Sequence, residues 1–151
     1  MEINDLSQNG NEIALRWIEK TDPESNFSAH QFSDGTLRFI ALTTALLHPE
    51  PPSIIIIDEP ELGLHPFAIS KLAGLIKIAS KKAQIIISTQ SVNLVDCFDP
   101  EDIITVDREH TSQQSVFRRL DNLQLSTWLE DHKLGELWQR DIIDSAQPFI
   151  K

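Results

Sequence analysis

Three short segments hold the residues that could do chemistry, and each lies where an element begins or ends. In Ile54-Ile55-Ile56-Ile57-Asp58-Glu59, two adjacent carboxylates follow four β-branched apolar residues. Such a run reads as a strand, and the C-terminal end of a strand is where open α/β sheets bind ligands. One carboxylate there suits Mg²⁺, which takes one or two carboxylates together with phosphate oxygens. The next residue, pointing another way, can orient or deprotonate a water. Ser33-Asp34-Gly35, between Phe32 and Thr36, stands immediately before a Leu- and Ala-rich segment. It reads as a helix N-cap whose free N–H groups suit an anion. Ser88-Thr89-Gln90-Ser91 follows a second apolar run, Ile85, Ile86 and Ile87, and offers hydroxyls and an amide at a strand end. Taken singly, each segment also fits a plainer description: an acidic turn, an ordinary helix cap, a strand–turn junction.

The elements that must position these residues follow from periodicity. Residues 36–48 carry Leu37, Ile40, Ala41, Thr44, Ala45 and Leu47 at helical spacing and stop at Pro49, Pro51 and Pro52. Residues 53–58 have the composition of a strand buried on both faces. Residues 65–82 form a second helix with Pro66 in its first turn, and 83–89 a second strand. A short helix over 92–98, a strand over 102–106, a weaker antiparallel strand over 114–120 and one or two helices over 125–137 complete the pattern. Ahead of the first helix, 12–20 reads as a short strand, 1–11 as a polar start and 21–31 as a loop. The tail, 139–151, shows no clear pattern. Buried strands alternating with helices predict an α/β fold with a mainly parallel sheet and flanking helices. The expected organisation is a single domain over 1–151, with a lead-in to residue 29, a core over 30–107 and a C-terminal strand and helices over 108–151.

Bulk properties narrow the function classes. The chain has 151 residues, one domain's worth, with 40% hydrophobic and 24% charged residues, an ordinary globular balance. A net charge of −10 argues against a general nucleic-acid surface, which needs clustered Lys and Arg. The single cysteine, Cys97, excludes an internal disulfide; with Asp96 beside it and no base at hand, it reads as a structural residue. A reduced, cytoplasmic setting is expected, and no apolar run is long enough to span a bilayer, so no membrane partner is expected. His30, His48, His65, His110 and His132 lack metal-ligand spacing. Arg118-Arg119 and Lys81-Lys82 read as solvated pairs, and Trp128 and Trp138 as packing residues.

The segment after the acidic pair sharpens the reading. Pro60-Glu61-Leu62-Gly63-Leu64-His65-Pro66 follows directly, and the sequence here resembles ABC-type ATPases of the SMC, RecF and related AAA-like group, in which DEPE-x-x-LHP follows the Walker B strand. The resemblance implies a P-loop NTPase-like fold that binds ATP and Mg²⁺, with Asp58 as the metal ligand and Glu59 as the catalytic glutamate. Gly63, Leu64 and His65 become candidates for the D-loop, which crosses the dimer interface; a cap at the start of the next helix is the other role open to His65. FSDGT, residues 32–36, resembles a variant of the LSGGQ signature. It assigns Ser33 and Gly35, with Asp34 between them, to the γ-phosphate of ATP held by a second protomer. Asp34 stands for a glycine and Thr36 for the glutamine, departures that speak against a transporter subunit. Arg38, one helical position later, reads as a solvated helix residue, with a phosphate contact the other role open to it. Gln90 stands where the family carries a phosphate-sensing histidine. Gln can donate from its amide but cannot carry a proton, so its catalytic role is that of a weakened switch. The match covers about residues 30–138.

No G-x-x-x-x-G-K-[ST] loop occurs; the five glycines are Gly10, Gly35, Gly63, Gly74 and Gly135, and none precedes a Lys-Ser or Lys-Thr pair. The expectation is an incomplete head, completed by a complementary N-terminal half and paired with a second protomer, with DNA reached only through the full assembly. Whether the chain is itself an active ATPase stays open. A non-catalytic module that docks on a full-length ATPase is the alternative. In the family the phosphate-loop strand lies beside residues 83–89, with 102–106 beyond it. Without that strand, the flanking strands pair directly or Ile85, Ile86 and Ile87 are left as an apolar edge.

Overall fold

The computed structural model describes residues 2–5, 13–19, 21–109, 111–140 and 142–143. Its strands are β1 (Glu2–Asp5), β2 (Ile13–Glu19), β3 (Asp22–Ser28), β4 (Ile54–Asp58), β5 (Gln84–Ser88), β6 (Ile104–Arg108) and β7 (Ser115–Arg119). Its helices are α1 (Asp34–Leu46), α2 (Pro66–Ala79), α3 (Val92–Val95), α4 (Asn122–Leu129) and α5 (Leu134–Gln139). The architecture is mixed α/β, as expected. Its parallel part is the pair β4–β5, while β1-β2-β3 and β6-β7 are antiparallel sheets.

Two expectations for the lead-in fail. Glu2–Asp5, in the supposed polar start, pairs with β2. Asp22–Ser28, read as a loop, is a strand paired with β2 through Arg16↔Ser28, Trp17↔Phe27 and Ile18↔Asn26. Both are polar segments without alternation, and the strand they flank supplies their backbone partners. The pattern of apolar residues carries no trace of such pairing. The expected strand over 102–106 starts two residues later, because Pro100–Asp102 forms a 3-10 turn. The region predicted as one or two terminal helices is two, and most of the tail over 139–151 lies outside the described residues.

The core explains how β4 and β5 are held. Leu46 of α1 and Leu72, Ile76 and Ala79 of α2 are buried together, and Ile57, Ile85 and Ile87 pack against them. Ile69, Ala73 and Leu94 join α2 to α3. Val95 then carries α3 into a second cluster with Leu120, Leu125, Leu134 and Leu137. Gly135 makes that junction possible. A Cβ there would lie 2.4 Å from Val92 Cγ1, and the Gly135 N–H donates to Asp96 Oδ1 at 2.7 Å. Cys97 is half-buried and its Sγ donates to Asn93 O at 3.3 Å, a packing role.

The expectation that β4 is buried on both faces fails in a way that matters for function. Ile55, Ile57, Ile85 and Ile87 face the helices. Ile54, Ile56 and Ile86 face away and are 52%, 74% and 45% exposed. Among the described residues one helical layer covers one face only. The β-branched run has the composition for two covers. Of the two outcomes foreseen for β5, the edge is the one observed among the described residues: β5 pairs with β4, and β6 pairs with β7.

The two faces should respond differently to truncation. Leu72→Ala, at a fully buried position, is expected to lower unfolding free energy by about 3 kcal/mol. Ile56→Ala, on the open face, should change it by under about 1 kcal/mol. Urea denaturation of both variants checks the contrast.

Candidate functional site

β4 and β5 end level with one another, because their parallel register sets Asp58 opposite Ser88. Alternation puts residues 54, 56 and 58 on one face together with 84, 86 and 88. The Asp58 carboxylate and Ser88 hydroxyl therefore stand on the open face, where Ser88 Oγ donates to Asp58 Oδ1. An exposed, acceptor-only carboxylate beside a hydroxyl is a donor set of hard oxygens, which fits Mg²⁺. No group of three or more His, Cys, Asp or Glu able to hold a metal occurs among the described residues. A divalent ion at Asp58 thus needs oxygens from elsewhere, the ordinary demand of a Mg²⁺–phosphate site.

Glu59 leaves the strand abruptly. Its φ is +44°, a left-handed conformation that costs a non-glycine residue about 1–3 kcal/mol. Bonds on both sides hold it there. Its N–H donates to Ser88 O at 2.9 Å, and its carbonyl accepts from Leu62 N–H at 3.2 Å and from Arg38 Nη1 at 2.8 Å. The carboxylate stands near the Gln90 backbone N–H, the Glu61 carboxyl and Asp58, each of which acts on its proton affinity. Desolvation comes first among the causes that push Glu59 above the ordinary carboxylate range; the Glu61 carboxyl and the Asp58 charge add to it, and the Gln90 N–H opposes.

Glu61 is buried, at 8% exposure. Its Oε1 accepts from Thr89 Oγ1 at 2.5 Å, and Thr89 Oγ1 in turn accepts from Ser91 N–H at 3.0 Å. Glu61 Oε2 is buried and has no donor among the described residues.

The helix-cap segment reaches this edge through a backbone contact. Ser33 caps α1, its Oγ accepting from Thr36 N–H at 3.2 Å and sharing a hydrogen bond with Thr36 Oγ1 at 2.9 Å. Gly35 packs on the turn after Glu59: a Cβ there would stand 2.3 Å from Gly63 O, and Gly63 itself has φ +78°. Asp34 opens the first turn of α1 and is exposed. His65 serves as the N-cap of α2, its Nδ1 accepting from Phe67 N–H at 3.3 Å. The cap is one of the two roles open to it.

The structure thus brings Asp58, Glu59 and Gln90 together at one strand end and sets Gly35 against the turn that follows. Sequence reasoning missed two residues. Arg38 is half-buried and bonded to the Glu59 and Leu62 carbonyls rather than solvated. Its one sequence signal was a place one turn into a capped helix. Glu61 carries no signal beyond a Pro-Glu pair. A hollow lined by Ala45, His48, Glu50, Pro52 and Ile55 lies toward the N-terminal end of β4, away from this edge.

Residues 7–96 match the family described as "AAA domain, putative AbiEii toxin, Type IV TA system". The chain belongs to this AAA-domain family. The AAA-family chain is also similar to ATP-binding proteins of energy-coupling factor transporters. It is 29% identical over 133 residues to EcfA2 of Lactobacillus delbrueckii subsp. bulgaricus, covering 83% of this chain and 43% of that protein. It is 36% identical over 74 residues to EcfA of Methanocaldococcus jannaschii, covering 48% of this chain and 26% of that protein. The chain therefore spans less than half the length of these curated relatives. Sequence similarity reaches transporter proteins despite the Asp34 and Thr36 departures. The fold is similar to a solved structure from "Structural biochemistry of ATP-driven dimerization and DNA stimulated activation of SMC ATPases", with TM-score 0.63 and 20% identity over 85% of this chain and 78% of that one. Family, relatives and fold thus meet the resemblance to an ABC- and SMC-like ATPase head. Among the described residues, no helix is long and apolar enough to cross a membrane.

The raised Glu59 carboxyl has a consequence for stability with a definite sign. Below its ordinary value of 4.5 the group is protonated folded or unfolded. As pH rises through that value the unfolded chain releases its proton first, so the folded state is penalised. Glu59→Gln removes the penalty and offers Glu61 an amide donor. In metal-free buffer the variant should melt at a higher temperature than wild type at pH 7, with the difference shrinking toward pH 3.5. Thermal melts at the two pH values check this.

Proposed function

We propose that this chain is the signature and acidic-strand portion of an ATPase head that dimerises around ATP. In this reading Asp58 binds Mg²⁺, Glu59 orients and deprotonates the attacking water, and Gln90 lies beside the γ-phosphate. Mg²⁺, when bound, neutralises charge on the phosphates. Ser33, Asp34 and Gly35, at the N-terminus of α1, present N–H groups to the γ-phosphate of a nucleotide held by a second protomer. His65 lies on the loop facing that protomer. The phosphate-cradling loop comes from a complementary N-terminal half, and DNA is engaged only through the whole assembly. The setting is cytoplasmic.

One observation carries the reading. Three segments distant in sequence converge at the C-terminal end of the only parallel pair among the described residues: Asp58 with Ser88, the Glu59 N–H with the Ser88 carbonyl, and Gly35 with Gly63. The open face beside Asp58 supports the complementary half. Its exposed Ile54, Ile56 and Ile86 suit a covering layer, and the free edge of β5 suits another strand.

The same open face also favours a second reading, a non-catalytic module that docks there on a full-length ATPase. Gln90, which cannot carry a proton, fits that reading too.

Calorimetry with MgATP separates them. The chain alone is expected to show no one-to-one binding in the low micromolar range. Co-expression with a segment holding a strand and phosphate loop should yield MgATP binding, ATP-dependent dimers by light scattering, and turnover. In that assembly Glu59→Gln should cut hydrolysis by about 10²–10⁴-fold and leave the dimers intact, while Gln90→His should raise turnover. Hydrolysis near wild type in Glu59→Gln defeats the catalytic reading and leaves the docking module.

A further inference from the structure

We infer that Arg38 is a positioning residue: it ties the N-terminal turns of α1 to the Glu59 peptide, so that what α1 binds sets where the Glu59 carboxylate points. The inference rests on the ATPase reading for its consequence, but its geometry stands by itself.

Arg38 lies on α1, little more than one turn after the Ser33 cap. Its Nη1 donates to Glu59 O at 2.8 Å and reaches Leu62 O at 3.5 Å. Those two carbonyls bracket the turn in which Leu62 N–H returns to Glu59 O. One turn earlier on the same helix, Gly35 touches the far end of the same loop, with no room for a Cβ against Gly63 O. The helix and the loop are thus fastened at two points, Arg38 to Glu59 and Gly35 to Gly63. A rigid helix held at two points cannot shift without carrying the loop.

The Glu59 end is the sensitive one. A residue at φ +44° persists only where its surroundings over-determine it. The Ser88 carbonyl holds one side of the residue, through its N–H. On the other side the Arg38 guanidinium holds the carbonyl that Leu62 N–H also uses. A half-buried guanidinium has several donors in a fixed fork and no need of a carboxylate partner to serve two carbonyls. A lysine, a point charge on a flexible stem, can reach one of them but not fix the turn. The N–H groups at the start of α1 are where an anion would dock. Arg38 therefore links the helix turn that follows those N–H groups to the Glu59 peptide.

The test begins on the full chain, without nucleotide, by amide hydrogen exchange. In Arg38→Ala and Arg38→Lys, the Glu59, Leu62 and Leu64 amides should exchange about ten-fold faster or more, with the β4–β5 amides and the melting temperature little changed. Arg38→Lys should fall between wild type and Arg38→Ala, and it carries the test should Arg38→Ala fail to fold. In Glu59→Gly, where positive φ is free of strain, adding Arg38→Ala should accelerate exchange less than it does in wild type. Unchanged exchange at these amides overturns the inference. In the MgATP-competent assembly, Arg38→Lys should lower kcat by about 10–100-fold at unchanged KM. Faster exchange with unchanged kcat overturns the coupling to catalysis. If Glu59→Gln is also active there, the fault lies in assigning Glu59 as the catalytic group.

Discussion

A left-handed, non-glycine residue at the end of a strand survives only where bonds on both sides of it outweigh its strain. Glu59 meets that condition through three separate parts of the chain: Ser88 at the end of β5, Arg38 on α1, and Leu62 in its own turn. Each bond needs a larger element in place. The Ser88 carbonyl is available because β4 and β5 are in parallel register. Arg38 is in reach because α1 and α2 share the buried cluster around Leu72. The turn can close because Gly63 accepts φ +78° and Gly35 leaves room for its carbonyl. The direction of one carboxylate thus depends on the packing of the whole helical layer.

That layer covers one face of the sheet, and the division of labour follows from strand alternation. The inward isoleucines anchor β4 and β5. The outward positions hold Asp58 and Ser88 at the strand ends and Ile54, Ile56 and Ile86 behind them. A carboxylate on the packed face would be desolvated, which opposes its charge; Asp58 lies on the open one. The apolar residues behind it have the opposite requirement. One face therefore carries both the polar site and a demand for apolar cover, which a covering layer that also brings phosphate-binding groups would meet together.

The α/β class and the element ends that hold the candidate residues were legible in the sequence; much of the pairing around them was not. Asp58, Glu59 and the Gln90 segment stand at strand ends that continuous isoleucine runs announce, and Ser33 precedes a helix with a clear period and a proline stop. These signals are local, so they survive in one dimension. What was lost depends on long-range pairing. Asp22–Ser28 is polar and becomes a strand only because β2 lies beside it. The exposure of Ile56 depends on which layers are present, and its residue type points the other way. Arg38 looks like any solvated helix arginine until α1 is docked on the turn from Glu59. Glu61, a charged residue in a loop, is buried with Thr89 bonded to its carboxylate. No period or spacing encodes either contact.

The acidic pair sets what chemistry this edge could run. Hydrolysis of a phosphoanhydride by water releases a proton that some group must accept or relay. Gln90 has no basic nitrogen. The nitrogen of His65 nearest its own backbone is committed to capping α2. Asp58, if it holds a cation, is a poor proton acceptor for the same reason that it is a good ligand. Glu59 is left, and its surroundings favour it: burial and the carboxyl of Glu61 make a proton more welcome there than on an ordinary glutamate. Glu61 is fixed beside it, because Thr89 holds one of its oxygens, and its other oxygen is buried with no donor among the described residues. Thr89, between Ser88 and Gln90, joins Glu61 to the end of β5, where Ser88 meets Asp58.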